Sequence, residues 1–271
     1  YLRLLYLAAT TMESDVAAVH VMDDQEDVAE KVAHYNLLAI PVVDDERRML
    51  GIITHDDVID VMREEAVEDA HRIAGVAPLE ESYMRTSIFT LSWKRGLWLT
   101  ILFVTALSTA FALRHYSAGI EVYAWLVLFI PLVVSTGGNS GNQSATLVIT
   151  AMATGDVQLQ DWLRVIRREL AIGLLLGGFL ATLGFAVACI VVRDPLSGAI
   201  VAATLVLVVI CGTLVGSVLP LFFKWVGLDP ALMSNPFVAG IVDILGIVIY
   251  MNVALLLLSL AKHPLSGGAS P

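Results

Sequence analysis

Charged residues and cysteines are both scarce in this sequence. Only 15% of its 271 residues carry a charge, whereas 57% are hydrophobic. This balance is typical of a membrane protein with a modest soluble part. The two cysteines, Cys189 and Cys211, both lie in apolar runs, so we interpret them as packing residues and not as a disulfide or a metal-binding pair.

The sequence also lacks the motifs of several functional classes. It contains no ATPase motif, so we expect any transport to be driven by gradients alone. Its apolar segments contain no nucleophile–base pair and no metal-binding His/Glu motif, which argues against an enzyme. They contain no cluster of thiolates or imidazoles, which disfavours zinc and copper as cargo. No basic signal-peptide region follows Tyr1, and we expect the chain to be a fragment whose natural N-terminus is missing.

The charge that is present lies unevenly along the chain. Residues 1–80 contain 18 acidic and six basic side chains. Such an acidic head favours cations over nucleic acids as partners. Within it, residue periodicity predicts a helix at 28–35 and short strands at 39–43 and 50–53.

Five apolar segments are each long enough to cross a hydrocarbon core of about 30 Å. They span residues 95–113, 121–151, 167–192, 198–222 and 236–261. Lys and Arg concentrate in the flanks on one side of these segments, so the positive-inside rule predicts a cytoplasmic head and an external C-terminus. The last residues, 263–271, are rich in Ser, Gly and Pro, which predicts a disordered tail.

Asp243 is the most informative residue of the sequence. It is the lone carboxylate of the fifth apolar segment, where an ionised side chain costs about 2.5–3.5 kcal/mol unless it meets water, a partner or an ion. Ala239, Gly240 and Gly246 share its helical face and leave room for a hydrated ion. We therefore predict that Asp243 faces a water-filled pathway for a divalent cation. The alternative is a protonated carboxyl or an intramembrane salt bridge.

The second apolar segment has an unusually polar C-terminal half. Helical steps of three or four residues join its polar side chains into one stripe: Ser135, Asn139, Asn142, Gln143, Thr146 and Thr150. Such a stripe suits the wall of a pore, and Gly137, Gly138 and Gly141 are candidates to expose backbone carbonyls to it. Oxygen ligands around a single carboxylate suit Mg²⁺, a hard ion that sheds water reluctantly. The alternative is helix–helix packing, in which small residues and amides hold helices together.

A run of carboxylates crowds a predicted helix at 56–74, which ends at the breaker Gly75-Val-Ala-Pro78. Its members are Asp56, Asp57, Asp60, Glu64, Glu65, Glu68 and Asp69. Asp60, Glu64 and Glu68 form a row of like charges, which destabilises a helix unless a cation neutralises it. We predict that divalent cations dock this helix at the cytoplasmic mouth of the pore and close it. The alternative is a solvated surface that only aids solubility.

Two motifs of the membrane segments resemble the signatures of the MgtE family of magnesium channels. They are Ile130-Pro-Leu…Thr136-Gly-Gly-Asn-Ser-Gly-Asn-Gln-Ser-Ala-Thr146 and Asp229-Pro-Ala-Leu-Met-Ser-Asn-Pro-Phe-Val-Ala…Asp243. The resemblance covers essentially the whole chain. It implies a pore at the interface of a homodimer, with Asp243 as the selectivity residue. It further implies pore ligands, acting largely through bound water, at Gly138, Asn142, Asn235 and Ala239.

The front of the chain resembles CBS domains. Residues 1–9 are similar to the end of a first CBS domain, and residues 16–62 to most of a second. The run Gly51-Ile-Ile-Thr54-His-Asp-Asp57 resembles a ribose-contacting pattern, which implies Thr54 and Asp57 as contacts for ATP or another adenine nucleotide. We expect the family's N-terminal acidic domain, and most of its first CBS domain, to be missing from this sequence.

The acidic helix corresponds to the connecting or plug helix of the same family. The resemblance implies regulatory Mg²⁺ ligands on this helix and one on the pore side: Asp57, Asp60, Glu65, Glu68, Asp69 and, in the loop before the fifth segment, Asp229. Some of the family's regulatory carboxylates would belong to the missing front part.

These inferences combine into one expected architecture, an α-helical polytopic membrane protein with a small α/β CBS-type cytosolic domain. The expected parts are a partial CBS region at 1–62, an acidic connecting helix and linker at 63–92, a five-helix pore domain at 93–262 and a tail at 263–271. The expected function is passive, Mg²⁺-selective influx through a homodimer in a bacterial plasma membrane, shut by cytosolic Mg²⁺. Two alternatives remain open: an exchanger of Mg²⁺ for Na⁺ or H⁺ at Asp243, and a membrane-anchored nucleotide sensor.

Overall fold

The computed structural model describes residues 16–79, 81–232 and 235–262. The chain divides into two compact units, Tyr1–Asp69 and Ala70–Pro271. The predicted remnant of a first CBS domain and the predicted disordered tail lie outside the described residues.

The first unit is built on a three-stranded sheet with the order β1-β2-β3. Its strands are β1 (Val19–His20), β2 (Ala39–Val43) and β3 (Met49–Thr54), and the helix α1 (Gln25–His34) connects β1 to β2. The first pair is parallel and the second antiparallel. A helix is the usual connection between parallel neighbours, and α1 buries its apolar face against the sheet.

A short turn at residues 44–48 connects β2 to β3. The Asp44 carboxylate accepts hydrogen bonds from the backbone amides of Glu46 and Arg48, at 3.0 and 2.8 Å. Arg47 adopts the left-handed conformation, with φ 57°, which helps the chain reverse direction. The hydrogen bond from the Arg48 amide is the main reason that the pKa of Asp44 lies below its ordinary value of 3.8.

The predicted helix and strands of the head are confirmed, and so is the acidic helix predicted at 56–74. This helix, α2 (His55–Ile73), starts directly after β3 and continues without interruption past residue 62, where we expected the head to end. The Asp57 carboxylate of its first turn reaches back to Thr54, accepting from the Thr54 amide at 3.4 Å and from the Thr54 hydroxyl at 2.8 Å. Residues 1–62 and 63–92 are therefore joined inside one helix.

The described secondary structure of the second unit consists of helices joined by turns and short loops. Its helices are α3 (Ile88–His115), α4 (Ser117–Val122), α5 (Ile130–Ala153), α6 (Trp162–Val192), α7 (Pro195–Val226) and α8 (Asn235–Lys262), with 3₁₀ turns at Ala124–Phe129, Leu159–Asp161 and Pro230–Leu232. In the described part of the chain, five stretches are long and apolar enough to cross a membrane. The fold class predicted from the sequence is thereby confirmed.

Most boundaries of the membrane segments differ from the prediction by a few residues, and the first segment begins at Ile88 instead of at residue 95. The second stretch begins at Ala124, because residues 117–122 form the separate helix α4. The third begins at Leu159, eight residues before the predicted start. Arg164 and the following arginines hid that first part of the stretch in the sequence, since charged residues lower the local hydropathy.

Glycines bring α5, α6 and α7 into close contact. A Cβ atom added to Gly212 would lie 2.5 Å from the carbonyl oxygen of Gly137, and one added to Gly216 would lie 2.1 Å from that of Gly141. Gly173 of α6 meets α7 in a similar way. Glycines four residues apart, such as Gly137 and Gly141 or Gly212 and Gly216, allow backbone-to-backbone packing in membranes. We refer to the Gly137, Gly141, Gly212 and Gly216 contact as the glycine seam.

The glycine seam changes one expectation. We expected Gly137 and Gly141 to expose their carbonyls to a pathway. Their carbonyl oxygens instead lie against α7, because α7 has no side chain at Gly212 or Gly216 to keep it away.

Candidate metal-ion pathway

Asp243 lies on α8 and faces Gly138 of α5. A Cβ atom added to Gly138 would be 3.2 Å from Asp243 Oδ1 and 3.5 Å from the Cβ of Ala239. The absence of a side chain at residue 138 therefore leaves the space in front of the carboxylate open. Asp243 is half-buried, and within the described residues no hydrogen bond or ion pair reaches its carboxylate.

Asn142 and Asn235 line a depression of about 440 Å³ beside this carboxylate-bearing face. The amide nitrogen of Asn235 donates to Thr146 Oγ1 at 3.1 Å. The Oδ1 atom of Asn142 is buried and has no hydrogen-bond partner among the described residues. A buried acceptor in that state normally has a bound water or ion as its partner.

The predicted pore residues therefore form two facing rows. One row is Gly138, Asn142 and Thr146 on α5, and the other is Asn235, Ala239 and Asp243 on α8, each at steps of four residues. The rows run antiparallel, because Thr146 meets Asn235 at one end and Gly138 meets Asp243 at the other. The structure brings together all five predicted pore positions, and it adds Thr146 to them.

The rest of the polar stripe lies on the outer surface of the single chain. Ser135, Asn139, Gln143 and Thr150 are exposed. The Asn139 amide donates to Ser135 Oγ at 3.4 Å, within the same helix. The stripe thus extends from the two facing rows onto an unpaired surface of the described membrane unit.

Asp229, predicted as a regulatory ligand, has two partners. Its carboxylate forms an ion pair with Arg72 at the end of α2. It also accepts a hydrogen bond from the Ala231 amide at 2.8 Å, which caps the 3₁₀ turn before α8. A metal ion at Asp229 would have to replace or join these contacts.

The other predicted regulatory residues are spread along α2. Asp57 and Asp60 are exposed, whereas Glu65, Glu68 and Asp69 are half-buried. The Glu65 carboxylate accepts from Gln25 Nε2 at 2.7 Å.

Among the described residues, no three His, Cys, Asp or Glu side chains lie close enough together to hold a metal ion. The two predicted nucleotide contacts, Thr54 and Asp57, hydrogen-bond to each other.

Glu169 is a polar group that the sequence reasoning missed. It lies on α6 and is only 6% exposed, and its carboxylate accepts from Ser144 Oγ of α5 at 2.6 Å. It follows two arginines at the start of the third apolar segment, where charged residues are expected, so the sequence does not single it out. A signal was available, because Glu169 lies four residues before Gly173, on the face that packs against the neighbouring helices.

Two parts of the chain match known sequence families. Residues 130–253 match the sequence model of the MgtE family, described as a divalent cation transporter, and residues 8–64 match the CBS domain. The magnesium transporter MgtE of Thermus thermophilus is 42% identical over 252 residues, which cover 92% of this chain and 55% of that protein.

Two further relatives carry the same name. The magnesium transporter MgtE of Enterococcus faecalis is 33% identical over 248 residues, covering 92% of this chain and 54% of its own. That of Bacillus subtilis is 31% identical over 243 residues, covering 90% and 53%. The chain thus spans about half the length of these curated relatives. All three names are those of transporters, which agrees with the prediction that the chain is not an enzyme. From this match and from these relatives, residues 130–253 of the chain form a domain of the MgtE family.

Proposed function

We propose that the chain forms a passive, Mg²⁺-selective pathway across a bacterial plasma membrane. The observation that carries the proposal is the Asp243 carboxylate, which faces the open space at Gly138 and has no protein partner among the described residues. A charge at that depth is normally paired, solvated or bound to an ion. The relatives' shared name, magnesium transporter, supports Mg²⁺ as the ion.

The two facing rows supply the ligand chemistry that Mg²⁺ prefers. They combine one carboxylate with the oxygens of Asn142, Thr146 and Asn235, and they contain no thiol or imidazole. Mg²⁺ binds hard oxygen ligands and usually keeps several of its waters. The wide depression beside Asn142 suits an ion recognised through its hydration shell.

The outer polar stripe supports a homodimer. Exposed Asn139 and Gln143 would face hydrocarbon in a single chain, and unsatisfied polar groups there cost several kcal/mol each. A second copy related by a two-fold axis would bring the same stripe opposite itself. The pathway would then lie between the two copies, with both Asp243 residues facing it.

The proposal assigns gating to the front of the chain. Residues 1–62 would sense cytosolic Mg²⁺, residues 63–92 would connect and residues 93–262 would conduct, with the C-terminus outside. Mg²⁺ bound at the α2 carboxylates and at Asp229 would relieve repulsion along the helix and close the pathway. An adenine nucleotide at Thr54 and Asp57 would have to compete with the hydrogen bond between them.

Mg²⁺ flux into liposomes holding the chain tests the conduction proposal. Replacing Asp243→Ala should remove nearly all of the flux, because the ion then meets no carboxylate in the pathway. The matched control is Glu121→Ala, which removes an exposed carboxylate of α4. Normal flux in Asp243→Ala would show the pore assignment to be wrong. Flux that requires an opposing Na⁺ or H⁺ gradient would identify an exchanger.

A further inference from the structure

Glu169 has no part in the proposed pathway, yet it is the most confined charge of the membrane unit. Among the described residues it is the only charged side chain that is buried, and Ser144, which donates to its carboxylate, is only 4% exposed. Burying a carboxylate is unfavourable unless its hydrogen bonds are well made. The surrounding helices therefore determine the geometry of the hydrogen bond between Ser144 and Glu169.

The backbone around Glu169 is fixed from the side of α7. Thr213 Oγ1 donates to the carbonyl oxygen of Glu169 at 3.3 Å. One turn further along α6, a Cβ atom added to Gly173 would lie 2.6 Å from the same Thr213 hydroxyl. Glu169 thus projects from a backbone that is tied to α7, and its carboxylate reaches α5.

Ser144 lies on α5 between two of the pathway residues. It is two residues from Asn142 and two from Thr146, and a step of two residues turns an α-helix by about 200°. A contact that fixes Ser144 against α6 therefore directs Asn142 and Thr146 to the opposite side, toward α8. In the described part of the chain, two residue pairs connect α5 to other helices by side-chain hydrogen bonds: Ser144 with Glu169, and Thr146 with Asn235.

The glycine seam does not fix the rotation of α5 about its axis. It sets the distance between α5 and α7, but a glycine has no side chain to resist rotation of the helix about its axis. The hydrogen bond between Ser144 and Glu169 is directional and charge-assisted.

We infer that Glu169 is a positioning residue for the cation pathway. It acts through Ser144 to fix the rotation of α5, and thereby the orientation of the Asn142 amide and the Thr146 hydroxyl. The inference rests on the proposed function for its effect on the ion. The orientation of α5 itself does not depend on conduction.

The first test is the Mg²⁺ dependence of flux in liposomes. Ser144→Ala and Glu169→Ala should each raise the half-saturating Mg²⁺ concentration about fivefold, the effect of one lost hydrogen bond. Glu169→Gln keeps an acceptor for Ser144 and should stay within about twofold of the parent chain. Because both alanine variants break the same bond, the double variant should shift the concentration no further than either single variant.

Ser217→Ala is the matched control for these variants. Ser217 is fully buried on α7, and its hydroxyl donates only within its own helix, to Leu214 at 3.1 Å. A purely structural role for Glu169 would lower the maximal flux and leave the half-saturating concentration unchanged. That result, or an equal shift in Glu169→Gln and Glu169→Ala, would overturn the inference.

The second test does not need ion flux. In a background with Cys189→Ala and Cys211→Ala, Asn142→Cys is modified with a water-soluble methanethiosulfonate reagent. Adding Ser144→Ala should change the modification rate at least about threefold, because residue 142 turns with α5, whereas adding Ser217→Ala should not. An unchanged rate would refute the positioning role even if the parent chain conducts Mg²⁺. Loss of flux in the parent chain would refute the proposed function. The modification rate at residue 142 would then still decide whether Glu169 and Ser144 fix the rotation of α5.

Discussion

At the scale of single residues, the candidate pathway depends on what is absent at residue 138 as much as on Asp243. Gly138 leaves open the space that a side chain would fill, 3.2 Å from the Asp243 oxygen. Because the space in front of the carboxylate is open, the water molecules that surround it can be exchanged. The same carboxylate behind a methyl group would meet the ion at a greater distance.

Replacing Gly138→Ala should therefore reduce Mg²⁺ flux about tenfold, equivalent to about 1.4 kcal/mol in the barrier. The added methyl group narrows the space beside Asp243 without removing its charge. Flux assays on purified chain in liposomes measure the effect. The matched control is Gly178→Ala, since an added Cβ there meets nothing within 4 Å. Equal flux in both variants would show that the ion does not pass between Gly138 and Asp243.

A second residue-scale prediction concerns Asp44 in the β2–β3 turn. Its pKa is lowered in the fold, chiefly by the Arg48 amide, so the turn gains stability from the ionised carboxylate. That contribution is complete above the ordinary value of 3.8 and is lost as the pH falls through the lower folded pKa. Hydrogen-exchange protection of the Arg48 amide, corrected for intrinsic rates, should be constant above about pH 5 and fall in acid.

Two variants check the assignment of that acid transition to Asp44. Asp44→Asn should reduce the protection at neutral pH and abolish its fall in acid. Glu30→Gln, which changes an exposed carboxylate of α1, should leave the profile unaltered. An acid transition that survives in Asp44→Asn would assign the effect to another group.

At the scale of helices and strands, the sequence was sufficient to predict each feature that depends on a single element. The β-rich run at 39–43 and the apolar length of the five stretches belong to one element each, and the structure confirms them. The contacts between elements could not be predicted from the sequence. Nothing in the sequence distinguishes Gly138, which faces Asp243, from Gly137, which faces Val208 of α7. Glu169 was missed for the same reason, because its hydrogen-bond partner, Ser144, is 25 residues away in the sequence.

The glycine seam gives an element-scale prediction about stability. Gly216→Ala places a methyl group 2.1 Å from a backbone oxygen, and α5 and α7 have to move apart to admit it. Overpacking of this kind costs about 1–3 kcal/mol. Thermal unfolding of the purified chain in detergent should show a lower midpoint, whereas Gly96→Ala, where an added Cβ meets nothing within 4 Å, should not lower it. An unchanged midpoint in Gly216→Ala would contradict the close approach.

The ion pair between Arg72 and Asp229 connects the end of α2 to the turn that begins α8. In the proposed gating, the guanidinium occupies a carboxylate that regulatory Mg²⁺ would use. Arg72→Gln should therefore lower the Mg²⁺ concentration that half-inhibits flux, by about threefold to tenfold for one partly exposed ion pair. Arg63→Gln removes an exposed arginine from the same helix and should have no effect. An increase in the half-inhibiting concentration would show that Arg72 assists closure.

At the scale of the whole molecule, the outer polar stripe predicts where two copies meet. In a background with both cysteines replaced by alanine, Gln143→Cys should form a disulfide-linked dimer in membranes. Leu175→Cys should not, because Leu175 is an exposed apolar residue of α6 on a surface suited to lipid. Gel electrophoresis under non-reducing conditions separates the outcomes. Cross-linking at Leu175 alone would place the interface on α6 and remove the support for a shared pathway.

The glycine seam also determines how compliant the proposed pathway is. One side of α5 presents Asn142 and Gly138 to the pathway, and the other lies backbone to backbone against α7. A contact of that kind contains no layer of flexible side chains that could compress or swell, and packed interiors transmit strain instead of absorbing it. The wall of the pathway is therefore stiff. On the side of α5, the pathway can widen or narrow only when α5 and α7 are displaced together as a single body.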